Sequence, residues 1–374
     1  GGAVDEAEKI GSFTLAQDEI VEKTCSVLAP VEEVKGISAD GSVSERTELV
    51  PRCGVFPVRA AYQKPAFAEL PGHRGARILF SDLKVHPEKL DDFVSQFSLK
   101  ELVDFTVCNG SCFGPKQSGA AGKLAHSKKY GIPTYYMSDG NSSVNLNRCT
   151  TGFPSSNVLA GTFNKQLAYK VGEVLAKESK EYGIAINLGP GGNLHRNLLC
   201  GRHPEYFSED PILTGTLMAY QARGQEENGV RATYKHFLAN GSELERKSSH
   251  SIMNERTLRE LYLRVFDKAF SLYKPSCVMT SYNAVNGIYP SESAPLLDDL
   301  LRKCWGFDGF VMTDWGACDT ADAVRSVNAG TNLLTPGDKK IFKKIYSAAK
   351  RGEISIGTLQ ESVKQIIKVL LQCE

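Results

Sequence analysis

The stretch Trp305-Gly-Phe-Asp-Gly-Phe-Val-Met-Thr-Asp314-Trp315-Gly316 decides how the chain is read. Phe310-Val311-Met312 is an apolar run typical of a buried strand, and it stops at a carboxylate set between an indole and a glycine. A charge at the end of a buried strand costs desolvation energy unless it is paired or used. In βα-barrel enzymes that end of the strand carries the catalytic groups. Asp314 is therefore a candidate nucleophile. It is equally a candidate N-cap for a following helix, a position where Asp is favoured.

Outward from this point the pattern repeats. From about residue 130, short apolar runs alternate with helical patterns, and strands are expected over residues 134–137, 184–188, 230–234, 277–281, 310–313 and 332–334. Leu167, Val171, Val174 and Leu175 fall at helical spacing before a stop at Gly183, and Leu359, Val363, Ile366, Ile367 and Leu370 repeat that spacing near the C-terminus. Strands alternating with helices predict an α/β fold with a parallel sheet, either open and doubly wound or closed as a (β/α)8 TIM-type barrel. No Gly-x-Gly-x-x-Gly follows the first strand, and several strands end in polar clusters. Both observations favour the barrel. Residues 89–374 are assigned to it.

Residues 1–88 read as an N-terminal arm or the remnant of an accessory domain. Residues 14–27 fit one helix, residues 30–75 are broken by prolines, glycines and charges, and residues 77–80 suggest a strand.

Composition narrows the function. The 44 basic and 43 acidic side chains nearly cancel, with no basic patch suited to a phosphate backbone, so nucleic acid is not expected as a partner. No apolar run reaches the ~18 residues that span a bilayer. The chain opens Gly-Gly-Ala-Val without a methionine or a secretory segment, a start that reads as a cut and carries no information on export. Of ten cysteines, Cys108 and Cys112 lack a second ligand pair at zinc-finger spacing, and no metal or cofactor is expected. Cys277, in an apolar run, and Cys304, on a helix, read as free buried thiols. A chain of this length needs no disulfides for its core, so reduced thiols and a cytoplasmic setting are expected.

Each expected strand delivers polar groups at its end. They are Ser138-Asp139-Gly140, then Asn193-Leu-His195-Arg196 with Gly201-Arg202-His203-Pro204-Glu205, then Lys235-His236, then Thr280-Ser281-Tyr282, and finally Asp314. Carboxylates accept from sugar hydroxyls and cations donate to them, so such a pocket suits a polyhydroxylated substrate. Plainer readings exist for each. Asp139-Gly140 fits a turn, Arg202 with Glu205 or Glu209 a surface ion pair, and Tyr282 a core phenol. His195 and His203 read as structural. The adjacent cations Lys235 and His236 are harder to explain without an anion nearby. Lys235 also admits a lyase-type reading through a Schiff base.

Taken together these motifs resemble glycoside hydrolase family 3, the β-glucosidase-like enzymes. The matching text runs from Gly131-Ile-Pro through Gly140, Asn193-x-His195-Arg196, Gly201-Arg202, Glu205-Tyr-Phe-Ser-Glu-Asp-Pro211 and Lys235-His-Phe237. It continues through Asn254-Glu-Arg-Thr-Leu-Arg-Glu-Leu-Tyr262, Val278-Met-Thr-Ser-Tyr282, Val285-Asn-Gly287 and Trp305–Gly316. The resemblance covers roughly residues 89–370 and implies a (β/α)8-type barrel, often irregular. It implies Asp314 as the nucleophile of a retaining mechanism, and Asp139, Arg202, Lys235 and His236 as contacts to the cleaved sugar. Tyr282 is implied beside the nucleophile, with Met279 and Trp315 as apolar walls. The implied substrate is a β-glucoside or oligosaccharide.

The chain departs from the family pattern in two places. The arginine six residues past the family aspartate is replaced by Asn145, and His203-Pro204 stands where Asn-Phe is usual. The general acid/base is not evident, since in β-glucosidase-type members it is usually a glutamate from a separate domain. The segment 87–102 resembles the linker into the barrel in members whose accessory domains precede it. Glu243 and the histidine of Ser248-Ser249-His250 are weak in-chain candidates. A second domain or subunit supplying the acid is expected, with a non-catalytic carbohydrate-binding barrel as the alternative.

Overall fold

The computed structural model describes residues 66–109, 117–124 and 126–373, together with the backbone of two strands at Val31–Ile37 and Val43–Pro51. Its centre is a curved mixed sheet of eight strands. These are β1 Val107–Asn109, β2 Gly122–Lys123, β3 Tyr136–Asp139, β4 Ile184–Leu188, β5 Arg231–Phe237, β6 Cys277–Thr280, β7 Phe310–Met312 and β8 Leu334–Gly337. Their order is β7-β6-β5-β4-β3-β2-β1-β8. All neighbours are parallel except β2, which runs against both β1 and β3. The two edges approach one another, because Met312 bridges Leu333 and Thr313 N donates to Leu333 O at 3.0 Å.

The expected strands of β3 to β7 are present within a few residues. β8 begins at Leu334, later than expected. Asn332 is used instead as a clamp, its Oδ1 accepting from Val311 N and from Arg302, both at 2.8 Å. β1 and β2 were not expected; three and two residues are too short to carry a periodic signal. Residues 77–80 are not a strand. Ile78 and Phe80 are instead buried in the same apolar cluster as the C-terminal helix, just ahead of a one-turn helix at Asp82–Val85. The Val31–Ile37 and Val43–Pro51 strands pair as an antiparallel hairpin in a stretch expected to lack regular structure. The helix expected at 14–27 lies outside the described residues.

Helices pack on the outside of the sheet. Helix α1, Lys165–Glu181, ends as expected before Gly183, whose φ of 70° only glycine adopts freely. Its inner face is Ala168, Val171, Gly172, Leu175 and Ala176, whereas Leu167 and Val174 are exposed. Small residues there let helix α2, Pro211–Glu226, approach closely. α2 starts at Pro211 because Asp210 Oδ1 accepts from Ile212 N and Leu213 N, both at 2.7 Å. Helix α3, Ile356–Leu370, buries Leu359, Val363, Ile366, Ile367 and Leu370 as its periodicity predicts. Leu70 N donates to Gln360 of α3 at 2.8 Å, tying the segment before β1 to the chain's last helix.

Cys277 is fully buried, but Cys304 is exposed. It ends a π-helical stretch, Pro295–Cys304, whose buried face is carried by leucines. Among the described residues no helix is long and apolar enough to cross a membrane.

The α1–α2 contact is set by glycine. A Cβ on Gly172 would lie 2.0 Å from Gln221 O, and one on Gly224 2.1 Å from Tyr169 O. Gly172→Ala should therefore push the helices apart and destabilise by about 1–3 kcal/mol in denaturant unfolding. Gly152→Ala, where the added carbon meets nothing within 4 Å, should stay near wild type. Equal stability of both variants contradicts this packing.

Candidate active site

The strand ends open into one cavity of about 980 Å³, and Asp139, Arg202, Lys235, His236, Met279, Tyr282, Asp314 and Trp315 all line it. Residues spread over 177 positions of sequence (139 to 315) thus meet where the parallel strands terminate. The cavity also takes in Glu205, Glu243 and Arg246. His195 and His203 do not line it; their rings stack on each other with centroids 4.2 Å apart. His250 lies exposed on a two-residue strand and is likewise outside the lining.

Asp314 is only 6% exposed. It is not a helix cap: the one-turn helix that follows, Ala317–Asp319, is preceded by Gly316 at φ 76°. Threonines hold the end of β7, since Thr335 N donates to Thr313 Oγ1 at 2.8 Å, and Gly316 N donates to Thr335 O at 2.8 Å. One carboxylate oxygen, Oδ1, accepts from Trp315 N at 2.7 Å. The other, Oδ2, is buried without a hydrogen-bond partner among the described residues. Burial pushes the Asp314 pKa up to about 6, against the pull of Arg202 and Lys235 and of the Trp315 N–H donor.

Why Oδ2 goes unpaired follows from His236. Its Nε2 lies 3.3 Å from Asp314 Oδ2 and 3.0 Å from Arg202. A guanidinium only donates, so Nε2 accepts from Arg202, and the neutral ring carries its proton on Nδ1, donating to the Tyr206 hydroxyl at 3.0 Å. Burial, with Arg202 and Lys235 nearby, holds the His236 pKa well below its usual value, which keeps the ring neutral. The imidazole therefore orients Arg202 and gives no proton to Asp314.

Lys235 is 3% exposed and ion-paired to Glu205 at 2.8 Å and Asp139 at 3.4 Å. Burial works to lower its pKa, but Glu205 and Asp139 outweigh it and keep the ammonium protonated. That is the opposite of what an amine nucleophile requires. Glu205 also accepts from Arg202 Nε at 2.6 Å. Burial opposes its ionisation, yet Lys235 and Arg202 hold its pKa well below the usual range. The Arg202–Glu205 pair, for which the sequence also allowed a plain surface ion pair, is thus the cavity's internal brace.

Tyr282 donates to Trp315 O at 2.6 Å, and Arg246 lies 4.5 Å over its ring. Sequence reasoning missed Glu205 and Arg246 as wall residues. The spacing Glu243-x-x-Arg246 was the available signal, since side chains three apart on a turn meet, as these do at 2.9 Å.

The arrangement is a carboxylate with one uncommitted oxygen, ringed by charged side chains at the strand ends of a curved α/β sheet. The chain belongs to glycosyl hydrolase family 3; residues 117–369 match that family's N-terminal domain. It is 34% identical to a β-glucosidase of Ruminococcus albus over 396 residues, covering 99% of this chain and 41% of that protein. It is 40% identical to thermostable β-glucosidase B of Acetivibrio thermocellus over 256 residues, covering 65% and 34% respectively. Among solved structures, β-glucosidase 3B from Thermotoga neapolitana in complex with α-D-glucose superposes with a TM-score of 0.72 at 37% identity, over 76% of this chain and 42% of that one. A β-glucosidase from Paenibacillus barengoltzii gives 0.81 at 29% identity, over 96% and 42%. The chain thus spans less than half the length of these relatives.

Because the Asp314 pKa rises from 3.8 to about 6, the native state binds that proton more tightly than the unfolded chain. Stability then falls as pH rises from about 4 to 6, and the full penalty of about 3 kcal/mol stands above pH 6. Asp314→Asn should stabilise the fold by roughly 2–3 kcal/mol at pH 8 and by almost nothing near pH 4. Denaturant unfolding at the two pH values reads this directly. A gain of equal size at both would contradict a buried-charge penalty.

Proposed function

We propose that the chain is the barrel portion of a retaining β-glycoside hydrolase, β-glucosidase-like, acting on terminal β-linked sugars through a covalent glycosyl-enzyme on Asp314. The observation that carries this reading is Asp314 Oδ2, a buried carboxylate oxygen left without a hydrogen-bond partner beside Arg202 and His236. In the first step Oδ2 bonds to the anomeric carbon while the leaving oxygen departs with the bonding pair. The leaving oxygen takes a proton from the acid/base, which regains one from water as that water attacks the same carbon and Asp314 recovers its electrons. Arg202, Lys235 and Asp139 take the sugar hydroxyls, and the two cations favour the ionised nucleophile. Met279 and Trp315 supply apolar surface, and Tyr282 fixes the Trp315 backbone beside the carboxylate. We read the curled sheet as an irregular (β/α)8 barrel, with residues 89–374 as its catalytic unit and residues 1–88 as an arm.

A retaining reaction needs a second carboxyl about 5–5.5 Å from the nucleophile. Glu243 is in the cavity wall, but its oxygens are engaged by Asn240 at 3.3 Å and Arg246 at 2.9 Å. We therefore place the acid/base on a second domain or subunit, a reading supported by the greater length of the relatives. The same engagement of Glu243, together with Asn145 in place of the family arginine, favours the second reading, a non-catalytic carbohydrate-binding barrel.

An activated aryl glucoside, whose leaving group needs no proton, separates the two. Turnover of 2,4-dinitrophenyl β-glucoside should be detectable with this chain alone and fall about a thousandfold or more in Asp314→Ala. A 2-fluoro glucoside should label wild type at Asp314; labelling that persists in Asp314→Ala removes Asp314 as nucleophile. Since the carboxylate must be ionised, kcat/KM should fall as pH drops through about 6. Glucose binding by calorimetry with no turnover at any pH supports the binding-only reading.

A further inference from the structure

The charged groups of the cavity form one connected set, with Glu243 3.9 Å from Arg202 and paired to Arg246 at 2.9 Å. From Asp314 the contacts run through His236 and Arg202 to Glu205, on to Lys235, and end at Asp139, whose carboxylate is 52% exposed. Past Asp139 the wall changes character. Ser142, Ser143, Asn145, Asn147 and Phe153 line it, with no charge among them. Backbone bonds hold this wall to the charged side, since Asn145 N donates to Asp139 O at 2.9 Å and Phe153 N to Ser142 O at 2.7 Å. Ser143 Oγ donates to Asn145 Oδ1 at 3.0 Å, which leaves the Asn145 Nδ2 donors uncommitted among the described residues. Phe153 packs its inner side on the core and is half-buried at the cavity surface.

Direction follows from the chemistry. If the anomeric carbon sits at Asp314 Oδ2, Asp139 meets hydroxyls at the far end of the same ring. The neutral wall beyond Asp139 then lies on the side away from the bond that is cut. The cavity volume of about 980 Å³ is at the upper end for small-molecule sites, and so has room beyond a single pyranose ring.

We propose that the Asn145–Phe153 wall is a second sugar subsite on the non-reducing side, through which the enzyme accepts β-linked oligosaccharides and releases a disaccharide unit as well as single sugars. The proposal rests on Asp314 being the nucleophile. The Phe153 ring offers an apolar face to a pyranose, and the hydroxyls and amides of Ser143 and Asn145 match its hydroxyls. No fixed charge is present to offset desolvation of a carboxylate or phosphate there, so the extra sugar is uncharged. Asn145 is the determinant: the arginine that the family resemblance places at this position would put a long cationic side chain into the subsite.

The test compares 2,4-dinitrophenyl β-glycosides of glucose, cellobiose and laminaribiose. Dinitrophenolate leaves with the C1–O electron pair as Oδ2 bonds to C1, and water then frees the sugar, so no proton donor is needed. Wild type should release intact disaccharide from at least one bioside with kcat/KM within tenfold of the glucoside. Asn145→Arg, at an exposed side chain, and Phe153→Ala should each lower the bioside-to-glucoside ratio at least tenfold. Cleavage of the glucoside with no disaccharide released from either bioside overturns the subsite, as does an unchanged ratio in both variants. If no glycoside is cleaved, the catalytic reading fails separately, and calorimetry decides the subsite. Disaccharide binding at least tenfold tighter than glucose, abolished in Asn145→Arg, sustains it, and equal affinities overturn it.

Discussion

One electrostatic constraint organises the site: a carboxylate at the end of an apolar strand has been taken almost wholly out of water. Such a group ionises only if cations are brought to it, and β7 itself has none to offer. Arg202 comes from the loop after β4 and Lys235 from within β5, so the sheet must curl until these distant strand ends face one another. The cations then need anions of their own, and Glu205 braces both. Without that brace, two positive charges would stand close together in low dielectric, where repulsion is strong. The curvature of the sheet and the ionisation of one aspartate are therefore parts of the same balance.

That balance is deliberately incomplete. Asp314, Glu205 and Asp139 share two cations, and His236 stays neutral instead of contributing a third. The Asp314 pKa accordingly stays above its usual value, and one of its oxygens keeps its lone pairs unengaged. A fully satisfied carboxylate would be more stable and less reactive. The strain is electrostatic and local, and it is borne by a scaffold whose apolar clusters are otherwise well packed.

Much of this was legible in the sequence because strands that end abruptly in polar residues leave a strong local mark. Val278-Met279 followed by Thr280-Ser281-Tyr282, and Phe310-Val311-Met312 followed by Thr313-Asp314, each announce both a strand and the end of it that faces the cavity. What escaped notice had no such mark. β1 and β2 exist only because neighbouring strands need partners, and two residues at Gly122–Lys123 cannot display a period. Glu205 looked like half of a surface pair because sequence shows that Arg202 is near but hides the Lys235 ammonium 30 residues away, which takes its other oxygen. Leu167 and Val174 matched a helical stripe, yet the true inner face of α1 is the smaller set around Gly172, since shape at a close helix crossing outweighs hydrophobicity. Hydrophobic pattern reports which residues avoid water; it does not report which neighbours will meet them.

The contact between Leu70 and Gln360 spans 290 residues, and the bridge between Met312 and Leu333 brings the sheet's edges together only after seven of its eight strands have been laid down. During synthesis, at about 5–20 residues per second, the growing chain exposes an unfinished sheet edge for many seconds before the last helix emerges to cover it. Until then Asp314 has no settled floor beneath it, and Ile78 and Phe80 have no helix to bury them. The pocket is in this sense completed by the residues from about 310 onward: a ribosome that stalls before they emerge leaves an open, adhesive sheet edge.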